Sequence, residues 1–202
     1  MVDFEIEKEY SAKGYKLICG IDEAGRGPLA GPVCAAAVIL PEGCEIEGLN
    51  DSKKLSEKKR EALFDVIMDR ALYRGIGTAS EKEIDEINIL QATFLAMKRA
   101  VENMGIKPDL ALVDGNQKPH VSDGIEEVTV VKGDAKSMSI AAASVLAKVS
   151  RDRFMLEMDK KYPEYEFSKH KGYGTKLHYE KIAEFGISEI HRKTFLKKII
   201  GE

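Results

Sequence analysis

Two apolar runs, at 17–22 and 33–40, flank a connection that holds Gly25, Gly27, Pro28, Gly31 and Pro32. Runs of that kind read as strands, and Gly and Pro punctuate the chain between them, so the segment predicts a strand pair joined by an extended connection. The first run ends in Asp22-Glu23-Ala24-Gly25-Arg26-Gly27, which puts two acids and a glycine-flanked arginine at the mouth of a strand. Side chains leave a strand on alternating faces, and a buried charge is costly unless it is paired or bound to a metal ion. The plainer alternative is an exposed turn, where Asp and Gly are common anyway.

Further along, apolar residues at Leu63, Val66, Ile67 and Ala71 have helical spacing and predict a helix over 56–72. A short alternating segment at 73–79 predicts a strand. Ser80 and Glu83 have the form of a capping box that opens a helix running to about Met104. Buried strands are expected at 110–113 and 128–131, the first running into Asp114-Gly115-Asn116 and the second into Lys132-Gly133-Asp134, so that both end in an acid. From 135 to about 160 small residues cover nearly every face, as expected of a helix packed tightly on a sheet. Pro163 ends it, a glycine-rich segment follows at 170–175, and two terminal helices are expected at 176–185 and 189–200. Strands interleaved with helices point to an α/β fold, a mixed sheet covered by helices with a helical tail.

At 202 residues, with 44% hydrophobic and 32% charged, the chain suits one sizeable core and an appendage. No stretch approaches the roughly 20 apolar residues needed to cross a bilayer, and the acidic start lacks a basic-then-apolar secretion pattern. A cytoplasmic protein without a membrane partner is the expectation. Cys19, Cys34 and Cys44 show no C-x-x-C pairing and read as reduced core residues rather than zinc ligands. The formal charge of −3 gives no global case for a polyanion partner. Between 168 and 198, however, Lys169, Lys171, Lys176, Lys181, Arg192, Lys193, Lys197 and Lys198 face only Glu180, Glu184 and Glu189. That stretch is either a solvated face or a surface for a polyanion beside a site that needs one.

Asp22, Glu23, Asp114 and Asp134 come from three candidate strand ends, where function in open sheets gathers. Converging carboxylates repel one another unless cations are present, and an oxygen-only donor set suits Mg²⁺ or Mn²⁺ better than Zn²⁺. Two such ions about 4 Å apart can activate water and stabilise a leaving oxygen in phosphodiester hydrolysis. Each acid taken singly is equally served by a turn or helix-cap role. Ser52 and Lys53, in the loop before the first helix, could cap that helix or hold a phosphate. Gly25, Arg26 and Gly27 could form only a tight turn, or could bring backbone close enough to read a sugar 2′-hydroxyl, the group that separates RNA from DNA.

The motifs GIDEAGRGPLAGPV (20–33), LNDSKKLSEKKR (49–60), DEINILQATFLAM (85–97), VDGN (113–116), VKGDAKS (131–137), IAAASVLAKVSRD (140–152) and HKGYGT (170–175) resemble the ribonuclease HII family in order and spacing. The resemblance spans nearly the whole chain. It implies a ribonuclease H-like catalytic domain over 1–160 and a C-terminal helical substrate-binding extension over 161–202. It also implies a two-metal endonuclease that cuts the RNA strand of RNA–DNA hybrids and duplex DNA beside embedded ribonucleotides, leaving 3′-hydroxyl and 5′-phosphate ends. Asp22, Glu23, Asp114 and Asp134 match the family's catalytic, metal-binding acids, and Gly25, Arg26 and Gly27 its backbone sensor of the 2′-hydroxyl. Tyr173 matches the tyrosine that packs on the sugar following the ribonucleotide. Ser52 and Lys53 fall to phosphate contact, and the basic tail to a clamp across the duplex.

Ala135 stands where many relatives carry serine, and Gly174 where some carry proline. The histidines are read as structural. Rival readings are a ribonuclease HIII-like enzyme that needs runs of RNA and a non-catalytic hybrid binder. A monomer is expected, and a replication-clamp partner stays open.

Overall fold

The second strand of the sheet, β2 (Val33–Ile39), is buried along its whole length, because helices cover both of its faces. Its alternate residues divide between two cores. Ala36 and Val38 face α2 (Glu57–Arg70) and α4 (Met138–Lys161), while Ala35, Ala37 and Ile39 face α3 (Glu81–Glu102). The computed structural model describes residues 2–50, 52 and 55–201, with 198–200 described in backbone only. Lys53 lies outside the described residues.

β2 runs antiparallel to β1 (Ile18–Ala24) and to β3 (Tyr73–Ala79), and β1 runs parallel to β4 (Leu110–Asp114), which pairs in parallel with β5 (Glu126–Val130). The order β3-β2-β1-β4-β5 makes β1 the central strand. It is thus the mixed α/β sheet flanked by helices that the sequence predicts. Gly20 sits where α4 crosses β1. A Cβ there would lie 2.2 Å from the Ser139 carbonyl carbon, so only glycine allows this helix so close to the sheet.

The helices begin where the sequence supplies caps. Ser56 accepts from the Lys59 amide, and the Ser80–Glu83 capping box is complete. Four details depart from the sequence reading. Helix α1 (Glu5–Ala12) was not anticipated; its Glu7 is buried and accepts from the Ser137 hydroxyl and the Ser139 amide, closing the start of α4. Helix α3 breaks at Asn88, which has φ 67° and whose side chain caps the second half through the Leu90 and Gln91 amides. Strand β5 stops at Val130, and α4 starts only at Met138, because Lys132 turns left-handed and a 3₁₀ turn over Gly133–Ala135 intervenes. The last helix, α7 (Lys193–Ile200), starts four residues late, where Asp85 of α3 caps the Lys193 and Thr194 amides. Between α4 and α7 lie α5 (Phe167–His170) and α6 (Lys176–Phe185), the latter with its expected bounds.

Candidate active site

Asp22 ends the core-facing part of β1, Asp114 closes β4, and Asp134 sits in the 3₁₀ turn after β5 rather than at a strand end. Parallel pairing of β1, β4 and β5 brings all three to the same edge of the sheet. One carboxylate oxygen from each lies within 4.8 Å of the others. Asp22 and Asp134 are buried. Burial pushes the Asp22 carboxyl well above the ordinary carboxylate range, and the charges of Glu23 and Asp114 push it further. Asp22 accepts from the Glu23 amide at 2.7 Å, and Asp114 accepts from the Gly133 amide at 2.6 Å, which fixes the turn that carries Asp134.

Glu23 follows Asp22 directly and therefore leaves the other face of β1. It opens into a cleft with Arg26, Leu90, Thr93, Phe94 and Asp114, and its Oε1 lies 3.6 Å from the Arg26 guanidinium. Asp114 borders both sides, so the four acids form a tight trio with one acid beside it. Oxygen-only donors in a buried, mutually repelling group fit hard divalent cations such as Mg²⁺ or Mn²⁺.

Ser52 is buried, and its hydroxyl lies 2.8 Å from that of Ser144 on α4, which in turn hydrogen-bonds Asp22. Its loop is pinned by Arg60, which donates to the Ser52 carbonyl at 3.0 Å and the Leu55 carbonyl at 2.5 Å. The Ser52 hydroxyl is thus turned towards the acids rather than outward.

The glycine loop is held by two buried guanidinium groups. Arg192 donates to the carbonyls of Gly25, Arg26 and Gly31 at 2.6, 3.0 and 2.9 Å. Arg151 donates to those of Pro32, Ala30 and Lys171 at 3.0, 3.0 and 2.9 Å. Gly25 has φ 98°, and a Cβ there would lie 2.1 Å from Arg151 Nε. Burial lowers the pKa of Arg192 to about 9, with the neighbouring Arg151 charge adding to it. The side chain of Arg26 is about half exposed, and nothing would obstruct a Cβ on Gly27. Tyr173 is 44% exposed, with Arg151 Cζ 5.8 Å and Lys148 Nζ 6.0 Å from its ring centroid. Because Arg151 also holds Lys171, one side chain joins the glycine loop to the tyrosine loop.

Sequence reasoning missed Arg60, Ser144 and Arg151, and grouped Arg192 with the basic tail expected to clamp the duplex. Arg192 is fully buried, while Lys176 and Lys193 remain exposed. The histidines His170, His178 and His191 are buried, as a structural reading requires, and Cys19 and Cys34 are buried free thiols.

The sequence profile of ribonuclease HII matches residues 19–198. The chain belongs to the ribonuclease HII family. Ribonuclease HII of Acetivibrio thermocellus is 61% identical over 194 residues, covering 96% of this chain and 75% of that protein. The fold of this family member superposes on ribonuclease H2 from Pyrococcus horikoshii with a TM-score of 0.73 at 30% identity, over 89% of this chain and 93% of that one. It matches equally, with a TM-score of 0.73 at 27% identity over 88% and 94% of the two chains, a structure of the PCNA:RNase HII complex from Archaeoglobus fulgidus. Membership of the ribonuclease HII family makes the chain a ribonuclease H-type endonuclease, a phosphodiester hydrolase. No helix among the described residues is long and apolar enough to cross a membrane.

Proposed function

We propose that this ribonuclease HII family member hydrolyses the RNA strand of RNA–DNA hybrids and nicks duplex DNA on the 5′ side of an embedded ribonucleotide, leaving 3′-hydroxyl and 5′-phosphate ends. The observation that supports it most directly is the trio Asp22, Asp114 and Asp134, with ligand atoms within 4.8 Å, beside a glycine loop clamped by Arg192.

Asp22, Glu23, Asp114 and Asp134 would hold two divalent cations, Mg²⁺ or Mn²⁺. When bound, these supply activation of the attacking water and charge neutralisation at the scissile phosphate. Ser144, backed by Ser52, donates towards Asp22 and keeps that carboxylate oriented. In this reading Ser52 acts through Asp22 rather than by touching phosphate. With Gly25 and Arg26 carbonyls fixed by Arg192, the peptide groups of 25–27 meet a 2′-hydroxyl already oriented, which reduces the ordering cost of recognition. Tyr173 presents its ring to the sugar beyond the ribonucleotide. The exposed lysines of the segment over 161–202 serve as a phosphate-contacting extension, so binding should weaken with salt. The PCNA complex of the Archaeoglobus fulgidus relative makes a sliding clamp a partner class to test; a monomer otherwise suffices for the chemistry.

The test compares three labelled duplexes, all DNA, DNA with one ribonucleotide, and an RNA–DNA hybrid, with Mg²⁺, Mn²⁺ or chelator. Metal-dependent nicking 5′ of the lone ribonucleotide, with the DNA duplex intact, is the expected result. Cleavage of the hybrid alone would point to a ribonuclease HIII-like range, and no cleavage with either metal would leave a binding protein.

A further inference from the structure

Three buried histidines lie beneath the tyrosine loop, and their hydrogen bonds admit only one set of tautomers. The Ser188 amide donates to His191 Nδ1 at 2.9 Å, so that nitrogen carries no proton. His191 therefore holds its proton on Nε2 and donates to His178 Nε2 at 3.0 Å. His178 is then protonated on Nδ1, which donates to the Tyr173 carbonyl at 3.0 Å. His170, stacked on His178 with centroids 4.3 Å apart, accepts from the Gly172 amide on Nδ1 and donates from Nε2 to the Tyr165 carbonyl. Phe167 packs edge-on against His170 and His178, and all three side chains are buried. The relay starts at a turn, crosses two rings and ends on the backbone of the exposed Tyr173. Its direction is fixed: reversing the whole relay would set a His191 Nδ1–H against the Ser188 amide, and reversing His178 alone would set its Nε2–H against that of His191.

We infer that His178 and His191 are positioning residues that set the orientation of Tyr173 and so the preference for a lone ribonucleotide over a continuous hybrid. The inference rests on Tyr173 contacting the substrate, and neither histidine touches the reacting atoms.

The test measures kcat/KM for the single-ribonucleotide duplex and for the hybrid with the parent, Tyr173→Ala, His178→Gln and His178→Asn. Gln places its amide where His Nε2 stood and loses the donor to Tyr173; Asn places its amide where Nδ1 stood and keeps it. Tyr173→Ala and His178→Gln should each lower the single-ribonucleotide-to-hybrid ratio by about 5-fold, the scale of one hydrogen bond. His178→Asn should restore the ratio. A loss with Tyr173→Ala but not His178→Gln would overturn the relay and spare the substrate contact. An unchanged ratio with Tyr173→Ala would overturn both, and equal loss in His178→Asn and His178→Gln would mean packing alone. Nitrogen-resolved NMR of the parent checks the relay without any variant: His178 as the Nδ1–H tautomer and His191 as Nε2–H are expected, and the opposite tautomer at either ring would overturn it.

Discussion

Arg192 Nη2 donates to the Gly25 carbonyl at 2.6 Å across 167 positions of sequence. This contact ties the last helix of the chain to the loop that follows its first strand, and the same side chain holds Arg26 and Gly31. A lysine cannot reproduce that fork. Arg192→Lys should leave buried carbonyls without partners and destabilise the protein by about 3 kcal/mol, read as a fall in Tm. Cleavage should fall further than the Tm loss accounts for at assay temperature, since the 25–27 backbone would no longer be held.

Asp22 carries the unfavourable electrostatics of the metal-free site. Its folded pKa lies above the unfolded value, so stability falls as pH rises through that range, and the ionised group opposes folding at neutral pH. Asp22→Asn should therefore raise Tm in chelator by roughly 2–4 °C per kcal/mol relieved. It should also abolish cleavage, and Mg²⁺ should raise the Tm of the parent but not that of this variant. A lower Tm in chelator would show that the charge is compensated within the protein.

Asp134→Asn should leave duplex binding in place while turnover falls by several orders of magnitude, because the remaining ligand atoms no longer complete the trio. Binding by fluorescence anisotropy and cleavage under single-turnover conditions separate the two.

Gly27 and Gly20 make opposite cases. A methyl on Gly27 meets nothing in the protein, whereas one on Gly20 meets the backbone of α4. Gly27→Ala should keep stability within about 0.5 kcal/mol of the parent but lower single-ribonucleotide cleavage about 10-fold, an obstruction only the substrate feels. Gly20→Ala should instead lower Tm sharply. Thermal melts and cleavage rates on both variants provide the comparison.

Acid should unfold the chain partly through His178 and His191, whose burial lowers each pKa to about 4. Their unfolded value is near 6.5, so below that pH the unfolded state takes up protons that the native state refuses. Stability is fully present above about pH 6.5 and falls towards pH 4, by about 1.4 kcal/mol per pH unit for each proton taken up. Asp159, Glu166 and Lys171 act on the adjacent His170, whose pKa is also lowered, chiefly by burial. Urea melts between these pH values should show a shallower slope in His178→Asn than in the parent.

The local chemistry of this protein was legible in its sequence wherever a signal is carried by neighbours in the chain. Residues 73–79 form the expected strand, Ser80 and Glu83 the expected capping box, and 176–185 the expected helix, because alternation, caps and helical spacing act over a few positions. The motifs also carried the family and, through it, a shortlist of acids. The tertiary structure decided which of those acids meet. Asp22 and Glu23 are adjacent in sequence yet leave opposite faces of β1, so the ligand trio takes Asp134 from a turn rather than Glu23 from the same strand. It also buried Arg192, which composition counts as one more charge in a basic tail, against a loop at the other end of the chain. Partners so far apart leave no mark on local spacing; their pairing follows only from the strand register and helix docking that bring both ends of the chain to one edge of the sheet.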